Sequence, residues 1–180
     1  MKPSEIQANI LAGQLLILAT QRVSASFDTF SGWLAAGFGA ALALFIANLD
    51  TVSKFASLSS LKCASFLFLV SAALAVIDKL LAAFIAAGTT AAIEGAALGK
   101  DLGERDIEID IPRFFSETEK ALFWPGSLFA RRVFEKAQSG DFAGPGRMYT
   151  KVAQAQAFVV IIQAFLSLAA AVVIVRGLAA

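Results

Sequence analysis

Three stretches of this chain, residues 32–49, 61–81 and 155–175, are too apolar to form the surface of a water-soluble domain. Each is close to the roughly 17 to 25 residues that a helix needs to cross a hydrocarbon core about 30 Å thick. They predict an all-α integral membrane protein with three transmembrane helices, an N-terminal amphipathic helix and a small helical cytoplasmic module. Composition agrees: 16% of residues are charged, against about 25% in an average soluble protein, and 58% are hydrophobic.

Several kinds of chemistry are excluded at once. The net charge of +1 offers no clustered basic face for nucleic acid. The chain has no histidine and one cysteine, Cys63. Ser-His and Cys-His nucleophile pairs, imidazole metal ligands, an intrachain disulfide and a multi-cysteine metal site are therefore all out of reach. The expectation is a protein that is not an enzyme and carries no cofactor and no metal.

Three crossings put the N-terminal segment and residues 88–154 on one side, and residues 50–60 and the C-terminal tail on the other. The first side holds most of the Lys and Arg, among them Arg22, Arg147 and Lys151 close to the spans; the second holds Lys54 and Arg176. The positive-inside rule then sets the N-terminus in the cytoplasm and the C-terminus outside, at the inner (plasma) membrane. Residues 1–25 have some features of a secretory signal: Lys2, an apolar run over 10–19 and a small-residue Val23-Ser24-Ala25. Glu5, Gln7, Asn9 and Gln14 dilute that core, so the segment reads as retained. Ser4 with Gln7 forms a capping box, and residues 1–31 are expected as an amphipathic helix at the interface or packed on the spans. The boundaries read as 1–31, a transmembrane hairpin over 32–87, the module over 88–154, and the third helix with its tail over 155–180.

Beyond the second span, small residues recur every fourth position, at Ala83, Ala87, Ala91, Gly95, Gly99 and Gly103. They predict a helix that projects past the membrane and ends between residues 92 and 103. Next, Asp106, Ile107, Glu108, Ile109, Asp110 and Ile111 alternate acidic and apolar, which is a strand pattern closed by Pro112. With no second strand in sight, the segment is either a solvated linker or a docking edge, with its isoleucines buried by a partner and its carboxylates choosing a basic one. Residues 112–140 read as two short helices, the first opened by a Ser116/Glu119 capping box, the second capped by Ser127 and ended by Gly140. In the second, Phe129 and Phe134 oppose Arg131 and Arg132, a pattern suited equally to a headgroup layer of an anionic bilayer and to packing of the apolar stripe against the other cytoplasmic helices.

Polar residues within or beside the spans are the remaining candidates. Asp78 is the costliest, with Ser71 seven residues before it; Gln156 and Gln163 are also seven apart in the third span. They read first as interhelix hydrogen-bonding groups and otherwise as the lining of a polar path, with Asp78 expected to meet Arg147 or Lys151. Small-residue ridges in the first span (Gly32, Ala36, Ala40 and Gly39, Ala43, Ala47) favour close packing and a homo-oligomer. The expected role is a sensor, scaffold or immunity-type component that presents a surface to a cytoplasmic protein partner. The alternative is a small pore-forming or membrane-disrupting effector. The layout resembles that of small multi-span effectors and sensors of prokaryotic anti-phage systems, without a motif belonging to any one such family.

Overall fold

A computed structural model describes residues 2–52, 57–105, 110–122 and 126–178. The described residues fold into helices α1 (Pro3–Ala47), α2 (Leu49–Val52), α3 (Leu58–Glu104), α4 (Ile111–Lys120), α5 (Gly126–Gln138) and α6 (Gly144–Leu178), with no strand among them. Three of these, α1, α3 and α6, are long and apolar enough to cross a membrane; α3 and α6 contain the second and third apolar stretches, and α1 holds the first up to Ala47, two residues short of its expected end.

The long helices overrun the expected boundaries. No break falls near residue 31: the amphipathic segment and the first apolar stretch form one helix of 45 residues. Hydroxyl groups that could have capped a new helix bond backward instead, Ser26 Oγ to the Arg22 carbonyl at 3.1 Å and Thr29 Oγ1 to the Ala25 carbonyl at 2.9 Å. Likewise α6 begins at Gly144, eleven residues before the predicted span. Helix α3 continues through Gly95, Gly99 and Gly103 and ends at Glu104, one residue beyond the expected range.

The acidic alternation is the main correction. Residues 106–109 lie outside the described residues, but Asp110 and Ile111 are not strand. Asp110 is the N-cap of α4, its Oδ1 accepting from the Arg113 N–H at 3.0 Å, and Ile111 opens the helix. A carboxylate at the N-cap, with Pro112 in the first turn, is a strong helix start, and it displaces the cap from the expected Ser116. The second short helix is α5, ended as expected by Gly140, whose φ of +79° is the left-handed conformation glycine tolerates. Helices α4 and α5 pack on each other.

The chain divides into two compact units, Met1–Gln21 with Ile85–Val152, and Arg22–Phe84 with Ala153–Ala180. In the first, Thr20 and Thr150 share a hydrogen bond of 2.9 Å, and Tyr149, only 8% exposed, lies across Gly88 so closely that a Cβ there would collide with its ring. In the second, the buried positions of α6 run Ala153, Gln156, Val160, Gln163, Ser167 and Ala170, alternating steps of three and four. Ser71, Ala75 and Asp78 on α3, and Ser24 and Ser31 on α1, keep the same seven-residue rhythm. This is the seam spacing of a coiled coil.

Candidate functional site

The site is the interior of the second unit, and it is polar. Asp78, Gln156, Gln163 and Ser31 have no exposed surface, and Ser24, Ser71 and Ser167 have almost none. The outward faces are the reverse: Trp33 is 75% exposed, and Phe66, Phe158 and Phe165 are about as open.

Two layers make up the interior. In one, the Gln156 carboxamide donates both N–H groups, to Asp78 Oδ1 at 2.8 Å and to the Ser24 carbonyl oxygen at 3.2 Å. In the other, Gln163 donates to the Ser31 carbonyl at 3.1 Å and accepts from the Ser31 hydroxyl at 2.7 Å. Beside it, Ser71 Oγ donates to the Gln163 carbonyl at 3.3 Å and lies 2.8 Å from Ser167 Oγ. Each layer ties α1, α3 and α6 together by groups that an apolar surrounding would otherwise leave unsatisfied.

All four intramembrane polar candidates, Ser71, Asp78, Gln156 and Gln163, therefore converge here. The expected partners of Asp78 were wrong. Arg147 instead binds both carboxylate oxygens of Asp141, at 2.6 and 2.7 Å, and it is Gln156 that reaches Asp78. The neighbouring Lys79 turns outward to Asp28 Oδ1 at 2.6 Å. Ser24 and Ser31 were missed, although their spacing of seven matches that of Ser71 and Asp78 and of Gln156 and Gln163. That shared interval was the available signal.

Three buried side-chain oxygens have no hydrogen-bond partner among the described residues: Asp28 Oδ1, which is ion-paired with Lys79 at 2.6 Å, Asp78 Oδ2 and Gln156 Oε1. The last two belong to one hydrogen-bonded pair. Among the described residues no group of three or more His, Cys, Asp or Glu side chains is placed to hold a metal ion.

The other described candidates belong to the first unit. On α5, Arg131 pairs with Glu135 at 3.0 Å, and Arg131 and Arg132 are exposed while Phe129 and Phe134 are half-buried. Asp141, just after α5, holds Arg147 and, at 3.5 Å, Lys136. Desolvation works to raise the Asp141 carboxyl, but the hydrogen bonds and charges of Arg147 and Lys136 together outweigh it, so the group titrates below its ordinary value. Of the candidate docking edge, Asp106, Ile107, Glu108 and Ile109 lie outside the described residues.

No family of known proteins matches this sequence, and neither a curated protein nor a solved structure matches it.

Proposed function

We propose that this chain is a non-enzymatic, homo-oligomeric protein of the inner membrane that presents a protein-binding surface to the cytoplasm. Three helices cross the bilayer, the N-terminus is cytoplasmic and the C-terminus outside. The observation that carries this reading is the reversed polarity of the second unit, hydrogen-bonded polar groups inside and bare aromatic and aliphatic side chains outside. Such a bundle suits hydrocarbon, where apolar surface costs nothing and polar groups must satisfy one another.

Helix lengths support the same placement. Counted from Asp28 to Ala47 on α1, from Asp78 back to Leu58 on α3 and from Gln156 to Val175 on α6, each helix offers about 30 Å at about 1.5 Å per residue, equal to a bilayer core of about 30 Å. Lys79 and Asp28 then stand at the cytoplasmic boundary, where a lysine reaches water along its own methylene chain. Residues 88–154 are cytoplasmic. Ile93, Leu98, Phe114, Leu122 and Leu128 are exposed large apolar side chains in that region, which argues for coverage by a second copy or by a protein partner. The docking surface is α4 and α5, with residues 106–111 leading into it.

The deciding experiment purifies the full chain in mild detergent and measures its mass and its co-purifying protein, with and without Phe129→Ser and Arg132→Glu. A mass that is a multiple of 18.9 kDa, and a partner lost on changing α5, are expected. A monomer with no partner would sink the reading. A pore-forming effector is the second reading, favoured by the unpartnered Asp78 and Gln156 oxygens inside the bundle.

A further inference from the structure

We propose that the Asp78–Gln156 pair is a proton-binding site within the bundle, and that taking up one proton tightens the tie between α3 and α6. Donors and acceptors at this pair do not match in number. A carboxamide has two N–H donors, and Gln156 spends both, on Asp78 Oδ1 and on the Ser24 carbonyl. Two acceptors remain, Asp78 Oδ2 and Gln156 Oε1, both fully enclosed and without a hydrogen-bond partner among the described residues. Two acceptors cannot satisfy each other. One proton on the carboxyl turns one of them into a donor, and a carboxylic acid and a carboxamide then complement each other through two arms, N–H to oxygen and O–H to oxygen. The first arm is already in place at 2.8 Å.

The surroundings favour a proton over a metal ion. The free donor set is one carboxylate oxygen and one amide oxygen, too few for a hard cation that takes about six oxygen ligands. Neighbouring charges do not neutralise Asp78 either. On α3, Lys79 is committed to Asp28 at 2.6 Å; on α1, the charged groups nearby are that same Asp28 and Arg22; and α6 carries no titratable residue between Lys151 and Arg176. Among the described residues no ion pair reaches Asp78, and an enclosed carboxylate with no cation beside it is the costly state that a proton relieves. A proton leaves bulk water and binds the carboxylate, and no other covalent bond changes. The proposal stands apart from whatever α4 and α5 bind.

Infrared difference spectroscopy of the full chain in liposomes, from about pH 5 to about pH 8, tests it. A carbonyl stretch of a protonated carboxyl is expected in the wild type and in Asp28→Asn, and is absent in Asp78→Asn. In Gln156→Leu, which removes both arms, the same band should move to higher frequency. That shift assigns the band even if Asp78→Asn fails to assemble. Carboxylate bands alone across the range, or a protonated band abolished by sodium ions at fixed pH, would overturn the proposal.

Discussion

Gly13 and Gly146 bring two helix backbones of the first unit into direct contact. A Cβ on Gly146 would stand 2.8 Å from the Gly13 carbonyl oxygen, and a Cβ on Gly13 would stand 2.6 Å from that of Phe142. Backbone oxygens cannot rotate away as side-chain ends can, so the close approach of α1 to α6 here requires both glycines.

Gly146→Val should therefore destabilise the first unit by about 1–3 kcal/mol or more, the usual cost of overpacking. Gly95→Ala is the control: nothing lies within 4 Å of a Cβ at that position, and replacing a glycine inside a helix should stabilise by up to about 1 kcal/mol. Denaturant titration in detergent, with limited proteolysis to locate the opening, separates the two outcomes.

In the bundle interior, Gln163→Leu should cost about 0.6 to 2 kcal/mol, the range for hydrogen bonds between membrane helices. Gln156→Leu should cost more, because it removes the one hydrogen bond that reaches the Asp78 carboxylate among the described residues. Thermal unfolding of the two variants side by side gives the order, and equal losses would show that the Asp78 bond contributes little.

The role of Asp78 in transport can be read separately. If the interior only ties helices together, Asp78→Asn leaves ion flux in liposomes unchanged. Wild-type flux that disappears in the variant, at unchanged oligomer mass, would favour the pore reading over the scaffold.

Asp141 gives a pH signature. Its carboxyl is lowered in the folded chain, so the stabilisation it brings is fully present above the unfolded carboxyl value of 3.8 and is lost as pH falls through the lower folded value. Arg147→Gln should return the group toward its ordinary value and remove that acid-range dependence. Fluorescence-monitored acid unfolding of wild type and variant is the comparison, and coincident curves would rule the contribution out.

Cys63 is the only thiol in the chain, is exposed, and lies near the start of α3. With the C-terminus outside, an impermeant maleimide should label it slowly in intact cells, and a reporter joined after Ala180 should be active on the outer side. A cytoplasmic C-terminus would favour an even number of crossings.

How much of the fold and the site was legible in the sequence depends on which physical signal each part carries. Apolar length is a strong signal, and it marked α1, α3 and α6. Their ends were less visible, because the polar residues that dilute an apolar run, such as Glu5 and Gln14, do not interrupt a helix; only caps and prolines do. The strand expected at 106–111 failed at its end for a related reason: Asp110 before Ile111-Pro112 is as good a helix cap as it is a step in an alternation, and α4 starts from that cap. Gln156, Gln163, Ser71 and Asp78 could be singled out because polar groups in apolar stretches are costly. Ser24 and Ser31 were harder to pick out: both contribute a backbone carbonyl, which every residue has, and only Ser31 adds its hydroxyl, so their spacing of seven was the one signal available.

The two glutamines also act as a gauge of register. Each reaches a carbonyl of α1, and the two carbonyls, like the two amides, are seven residues apart. Sliding α6 by a single residue would unseat both teeth of this comb together, and although carbonyls recur all along α1, the Ser31 hydroxyl that Gln163 accepts from would meet a glutamine again only a full heptad away, about 10.5 Å at about 1.5 Å per residue. A seam of leucines alone has no such notch. Removing one glutamine leaves the alignment readable by the other, whereas removing both frees the helices to settle in neighbouring registers, and the double variant should show several mated forms where either single variant keeps one.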